Sequence, residues 1–78
     1  MALLEITQRV DARGLSCPLP IVRTAQAIKT VASGQLIEVL ATDPGSVKDF
    51  AAWSRATGHL VVESSLDGGV FRYVLARK

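Results

Sequence analysis

The protein has 78 residues, a formal charge of +2 and a single cysteine. That length suits one domain, spanning residues 1–78 and near the lower size limit for a self-sufficient core, and argues against a large enzyme with a deep enclosed pocket. One cysteine excludes an internal disulfide or a CxxC redox pair, and with one histidine it leaves no conventional four-ligand zinc site, so neither a metal nor a cofactor is expected.

Hydrophobic residues make up 49% of the chain and charged residues 21%, a balance that folds. The basic residues are scattered apart from Arg72, Arg77 and Lys78, and the weak net charge is no strong signal for nucleic acid. Met1-Ala2-Leu3-Leu4 runs straight into Glu5, without the basic and apolar regions of a signal peptide. Apolar runs stay far short of the ~20 residues of a membrane span. A cytoplasmic protein with a reduced thiol and no membrane association is therefore expected.

In chain order, Leu4, Ile6, Gln8 and Val10 alternate with Glu5, Thr7 and Arg9 and predict a first strand. Ile21, Ala25, Ile28 and Ala32, with Val31 alongside, fall at helical spacing and predict a helix from about Cys17-Pro18 to just before Gly34. Gln35 to Thr42 is mostly apolar and reads as a central strand buried on much of both faces. A second helix is predicted from about Val47 to Thr57, with Ser46 and Asp49 spaced as a capping box and Val47, Phe50, Ala51 and Ser54 facing inward. His59 to Ser65 and Val70 to Ala76 flank Asp67-Gly68-Gly69 and predict a hairpin. The order β-α-β-α-β-β implies an α+β fold, a two-layer sandwich in which both helices pack on one face of a four-stranded mixed sheet.

Candidate chemistry is concentrated in Asp11-Ala-Arg13-Gly14-Leu15-Ser-Cys17-Pro18-Leu19-Pro20. Gly14 allows a sharp turn after the first strand. Pro18 and Pro20 lack N–H donors and suit a first helical turn. Cys17 is thereby expected at or near the N-cap, where the helix dipole favours thiolate and lowers the thiol pKa, with Arg13 near enough in sequence to add positive charge. Asp11 is expected to fix the turn by accepting backbone N–H bonds. Two readings compete for Cys17: a small buried hydrophobe, and an exposed functional thiol; its placement between a glycine turn and a proline-started helix favours the second.

Asp11-x-x-Gly14-Leu15-x-Cys17-Pro18-x-Pro20, followed by Gly34, Asp43-Pro44, Trp53, Gly58-His59 and Phe71-Arg72-Tyr73, resembles the TusA/SirA family of sulfur carriers over nearly the whole chain. The resemblance implies a βαβαββ sandwich similar to the C-terminal domain of translation initiation factor three. It also implies that the cysteine of the CPxP motif, Cys17, carries sulfur as a persulfide. Donors implied by the resemblance are a cysteine desulfurase or a rhodanese-type sulfurtransferase. Implied downstream acceptors belong to tRNA thiolation, sulfur oxidation or cofactor assembly.

The residues agree with that implication and limit it. A thiolate can attack the outer sulfur of a donor persulfide, but one cysteine cannot resolve the product internally. The expected role is a transient persulfide carrier rather than a free-standing enzyme. Leu15 and Leu19, with Ile21, are candidate docking residues, and core packing is the competing reading for Leu15 and Ile21. His59 reads as a junction residue rather than a general base, and Asp43-Pro44 as a loop former. The alternative function is a protein- or RNA-binding regulatory module in which Cys17 is only structural.

Overall fold

The structure is a computed structural model and describes residues 5–78. The elements follow in the predicted order: β1 (Ile6–Ala12), α1 (Leu19–Ile28), β2 (Leu36–Ala41), α2 (Ser46–Thr57), β3 (Leu60–Asp67) and β4 (Val70–Ala76). β1 begins after Leu4, whose place in the strand lies outside the described residues, and runs on through Asp11 and Ala12.

The sheet order is β1-β2-β4-β3, with β1 and β2 parallel and the other pairs antiparallel. Alternation assigns the faces. Ile37, Val39 and Ala41 of β2 and Tyr73 and Leu75 of β4 point to one face, where Ile28, Val31 and Phe50 join them in the core. Both helices thus cover the same face, as expected for a two-layer sandwich.

The opposite face of the sheet is polar but locally dry. Arg9 of β1, Glu38 of β2, Arg72 of β4 and Glu63 of β3 form a ladder of ion pairs across all four strands, with N–O separations of 3.4, 2.7 and 2.6 Å. Val74 lies on this face, between Glu38 and Glu63 in the register, and is fully buried.

α1 is shorter than the spacing predicts. It ends at Ile28, and Val31 packs into the core from the following turn while Ala32 is exposed. The buried stripe is Pro20, Thr24 and Ile28, with Ile21 and Ala25 only half-buried. Thr24 escapes hydropathy reading because its hydroxyl donates to the Pro20 carbonyl at 2.7 Å, which satisfies the polar atom inside the helix.

α2 is rotated from the predicted orientation. Ser46 and Phe50 are buried, whereas Val47 is 52% exposed and Ala51 is also exposed. The anchor is a hydrogen bond of 2.7 Å between the Ser46 and Tyr73 hydroxyls, which turns that side of the helix onto the sheet. The predicted capping box is therefore absent: the N-cap is Gly45, and no side chain caps the helix. At the far end Gly58 takes φ +84 and donates its N–H to the Ser54 carbonyl, the left-handed stop that glycine provides without strain.

Candidate functional site around Cys17

Because β1 and β2 are parallel, their carboxyl ends lie side by side, and each runs into a loop that leads to a helix. Ligand sites of parallel α/β units form at such ends. The two loops are cross-linked. The Gly14 N–H donates to Thr42 Oγ1 at 2.9 Å, and the Cys17 N–H donates to Asp43 Oδ2 at 3.1 Å. The loop after β2 thus serves as a template for the loop that carries the cysteine, so Asp43 has a role beyond shaping its own turn.

Cys17 is exposed. It stands one residue before the N-cap, not on it. Val22 donates the first helical bond to the Pro18 carbonyl at 3.1 Å, which makes Pro18 the cap, and α1 starts at Leu19 with Pro20 in its first turn. The Cys17-Pro18 peptide is cis.

The expected lowering of the thiol pKa is reversed. Hydrogen bonding to the Asp49 carboxylate pushes the Cys17 thiol up, and partial desolvation and the charges of Asp49 and Asp43 push in the same direction. Sγ and the two carboxylate oxygens lie within 4.8 Å of one another. Arg13 does not offset them. Its guanidinium makes a two-pronged pair with Asp11 at 2.8 and 2.9 Å. That pair, and then the Arg13 N–H, hold the Asp11 carboxyl down to about 2. Asp11 accepts the backbone N–H as the turn requires, but it also neutralises the one cation expected to assist the thiol.

The other motif residues divide by burial. Pro20 is buried, Gly14 takes φ +79, and Pro18 is exposed. Leu15 and Ile21 pack partly buried against the core. Leu19 is 44% exposed and stands at the start of α1 beside the cysteine loop.

His59 is at the other end of the sheet, next to Leu60, which pairs with Ala76. Its Nδ1 accepts the Lys78 N–H at 3.0 Å and its ring stacks at a tilt on Trp53, 5.2 Å away. Burial first, and then Arg77 and Lys78, lower its pKa. It is a junction residue and offers no base to Cys17.

Asp49 is the residue that sequence reasoning misplaced. Its spacing from Ser46 imitates a capping box, yet Ser46 is turned inward to Tyr73 and Asp49 toward the thiol. Cys17, Asp43 and Asp49 are all of metal-ligating type, but as three groups they fall short of the four that close a structural zinc site.

Comparison with known proteins bears on what this cluster is. The sequence model of the family described as Sulfurtransferase TusA matches residues 8–77. The chain is 44% identical over 75 residues to the sulfur carrier protein TusA of Allochromatium vinosum, covering 96% of this chain and 99% of that one. It is 35% identical over 69 residues to the sulfur carrier protein TusA of Pseudomonas putida, covering 88% and 86% of the two chains. Its fold is similar to the crystal structure of a SirA-like protein from Desulfitobacterium hafniense, with a TM-score of 0.78 over 90% of this chain and 96% of that one, at 24% identity.

Proposed function

The chain belongs to the TusA sulfurtransferase family and is a sulfur carrier, and from that premise we propose that Cys17 is the atom site that holds the sulfur, as a persulfide. The observation that carries this reading is the position of the lone cysteine, exposed on the CPxP loop at the carboxyl ends of β1 and β2. The exposure also speaks against a purely structural Cys17 in a binding module.

Loading proceeds by attack of Cys17 Sγ on the outer sulfur of a donor persulfide. A new S–S bond forms, the donor's own S–S bond breaks, and its cysteine leaves as thiolate. Cys17 loses one proton and the donor thiol gains one, so no oxidant or reductant is consumed. Discharge is the same exchange run toward an acceptor thiol. Without a second cysteine the carrier cannot release sulfur by forming its own disulfide, which makes it dependent on partners at both steps.

The donor is a cysteine desulfurase or a rhodanese-type sulfurtransferase. The acceptor is a protein of tRNA thiolation, sulfur oxidation or cofactor assembly, and the setting is the cytoplasm. No helix among the described residues is long and apolar enough to cross a membrane, which is compatible with that setting. Gly14, Pro18 and Pro20 shape the cysteine loop, Asp11 and Arg13 brace its first turn, and Leu19 with a lesser contribution from Leu15 meets the partner.

Intact-protein mass spectrometry tests the reading. After incubation with a desulfurase and cysteine, or with inorganic polysulfide, the wild type gains one sulfur atom that reducing agent removes. Cys17→Ser gains none. Failure of every donor class to load the wild type would refute the assignment.

A further inference from the structure

Two carboxylates from different parts of the fold stand close to Sγ. Asp49, on α2, brings a carboxylate oxygen within 4.8 Å of Sγ, and Asp43, on the loop after β2, accepts the Cys17 N–H at 3.1 Å. All three functional atoms fall within 4.8 Å of one another. The remaining charged residues of the cysteine loop, Asp11 and Arg13, are occupied with each other. α1 carries no acidic residue in its first turn. Among the described residues, the charged groups that act on the thiol are Asp49 and Asp43.

Exchange at sulfur passes through three sulfurs in line that share one negative charge. Here that charge develops beside two carboxylates. An incoming group with its own negative charge meets added repulsion, and one with a positive charge offsets it.

We propose that Asp43 and Asp49 are specificity-determining residues of the sulfur transfer, and that they select donors and acceptors presenting a positively charged group, lysine or arginine in a protein, beside the sulfur being exchanged. The proposal rests on the reading that Cys17 carries the sulfur, and it adds which partners that site accepts. In the selected encounter the partner's cation pairs with the carboxylates as Sγ forms its bond to the partner's outer sulfur. The partner's S–S bond breaks, the electron pair leaves on its cysteine, and the thiol proton is released as the departing thiolate takes one up. The same pair opposes free anionic persulfides and polysulfides, which limits loading of the carrier away from its partners.

Charge selection is measurable without a partner protein. The probes are 2-(trimethylammonium)ethyl and 2-sulfonatoethyl methanethiosulfonate, which transfer their thioalkyl group to Cys17 Sγ and release methanesulfinate. Their rates on the folded protein are each divided by the rate on free 2-mercaptoethanol, which removes intrinsic reactivity. The expected ratio favours the cationic reagent about 10-fold at low salt, the order given by unit charges a few ångströms apart in water. It falls toward unity as salt screens the pair. Asp43→Asn and Asp49→Asn each reduce it several-fold, and the double variant abolishes it.

The amide introduced by Asp43→Asn keeps a carbonyl for the Cys17 N–H, and the salt dependence of the wild type stands even if a variant folds poorly. A ratio near unity at low salt, or one unchanged in both variants, would overturn the proposal. These rates involve no persulfide, so that failure is separate from a failure of Cys17 to load sulfur.

Discussion

A thiol that donates to a carboxylate is a weaker acid than one in water, because ionisation breaks the hydrogen bond and sets two negative charges side by side. Cys17 is in that position against Asp49, with Asp43 adding to the effect. The resting carrier therefore holds a neutral thiol at neutral pH, and a neutral thiol is the less oxidation-prone form. The thiolate that does form is the stronger nucleophile, since nucleophilicity rises with basicity along a Brønsted slope of about 0.4–0.5. The sign of the pH dependence follows. Alkylation by iodoacetamide rises with pH as thiolate accumulates, and its midpoint lies above that of an unperturbed cysteine. Asp49→Asn removes one neighbouring charge, stabilises the thiolate and moves the midpoint down, so alkylation near pH 7 speeds up, with about half of the logarithmic gain in thiolate offset by its lower nucleophilicity. A midpoint that stays fixed or moves up in Asp49→Asn would show that the carboxylate does not govern the thiol.

Elements are set by local signals, and a glycine in the left-handed conformation is among the clearest of them. Gly58 stops α2 with φ +84, a conformation that costs other residues about 1–2 kcal/mol. A Cβ there would also come within 2.8 Å of Lys78 Cδ, but that contact is the far part of a flexible side chain and can move aside. Gly58→Ala is thus expected to lower stability by about 1–2 kcal/mol in urea unfolding, and persulfide loading of the folded fraction should not change, because Gly58 is at the sheet end opposite Cys17. This stop was legible in the sequence, as were the turn glycines Gly68 and Gly69, at φ +57 and +80, and the element order itself. The orientation of α2 was not. Ser46 and Asp49 carry the spacing of a capping box, and only the tertiary partners decide otherwise: Tyr73 draws the Ser46 hydroxyl into the core, and the cysteine loop brings the thiol to Asp49. The same limit explains the thiol. The sequence places Cys17 beside a helix start and an arginine, but the pairing of Arg13 with Asp11 and the approach of Asp43 across 26 positions of chain are facts of the folded state. The exposed place of Cys17 before α1 was legible through its motif, and its electrostatic sign was not.

At the scale of the whole molecule, the core and the reactive atom are joined through α2. Phe50 is 1% exposed and lies between Tyr73, at a ring separation of 4.5 Å, and Trp53, edge-on at 6.3 Å. It follows Asp49 directly in the chain, so the side chain that fixes α2 to the sheet also fixes the carboxylate at the thiol. A domain of this length has a total stability of only about 4–12 kcal/mol at 0.05–0.15 kcal/mol per residue. Truncating a buried phenylalanine costs about 3–5 kcal/mol. Phe50→Ala is therefore expected to lose a quarter or more of the stability, read as a fall in the urea midpoint. Under conditions where the variant is still folded, its loosened α2 should hold Asp49 less firmly against Cys17. The alkylation midpoint then moves down, in the same direction as in Asp49→Asn. Leu75→Ala is the control: Leu75 is also fully buried, but it sits on β4 opposite Ile37 and Val61, toward the sheet end remote from the cysteine. It should cost about 2–5 kcal/mol and leave the thiol midpoint where it was. Equal shifts of the midpoint in both variants would mean that general loosening, and not the Phe50–Asp49 linkage, controls the thiol.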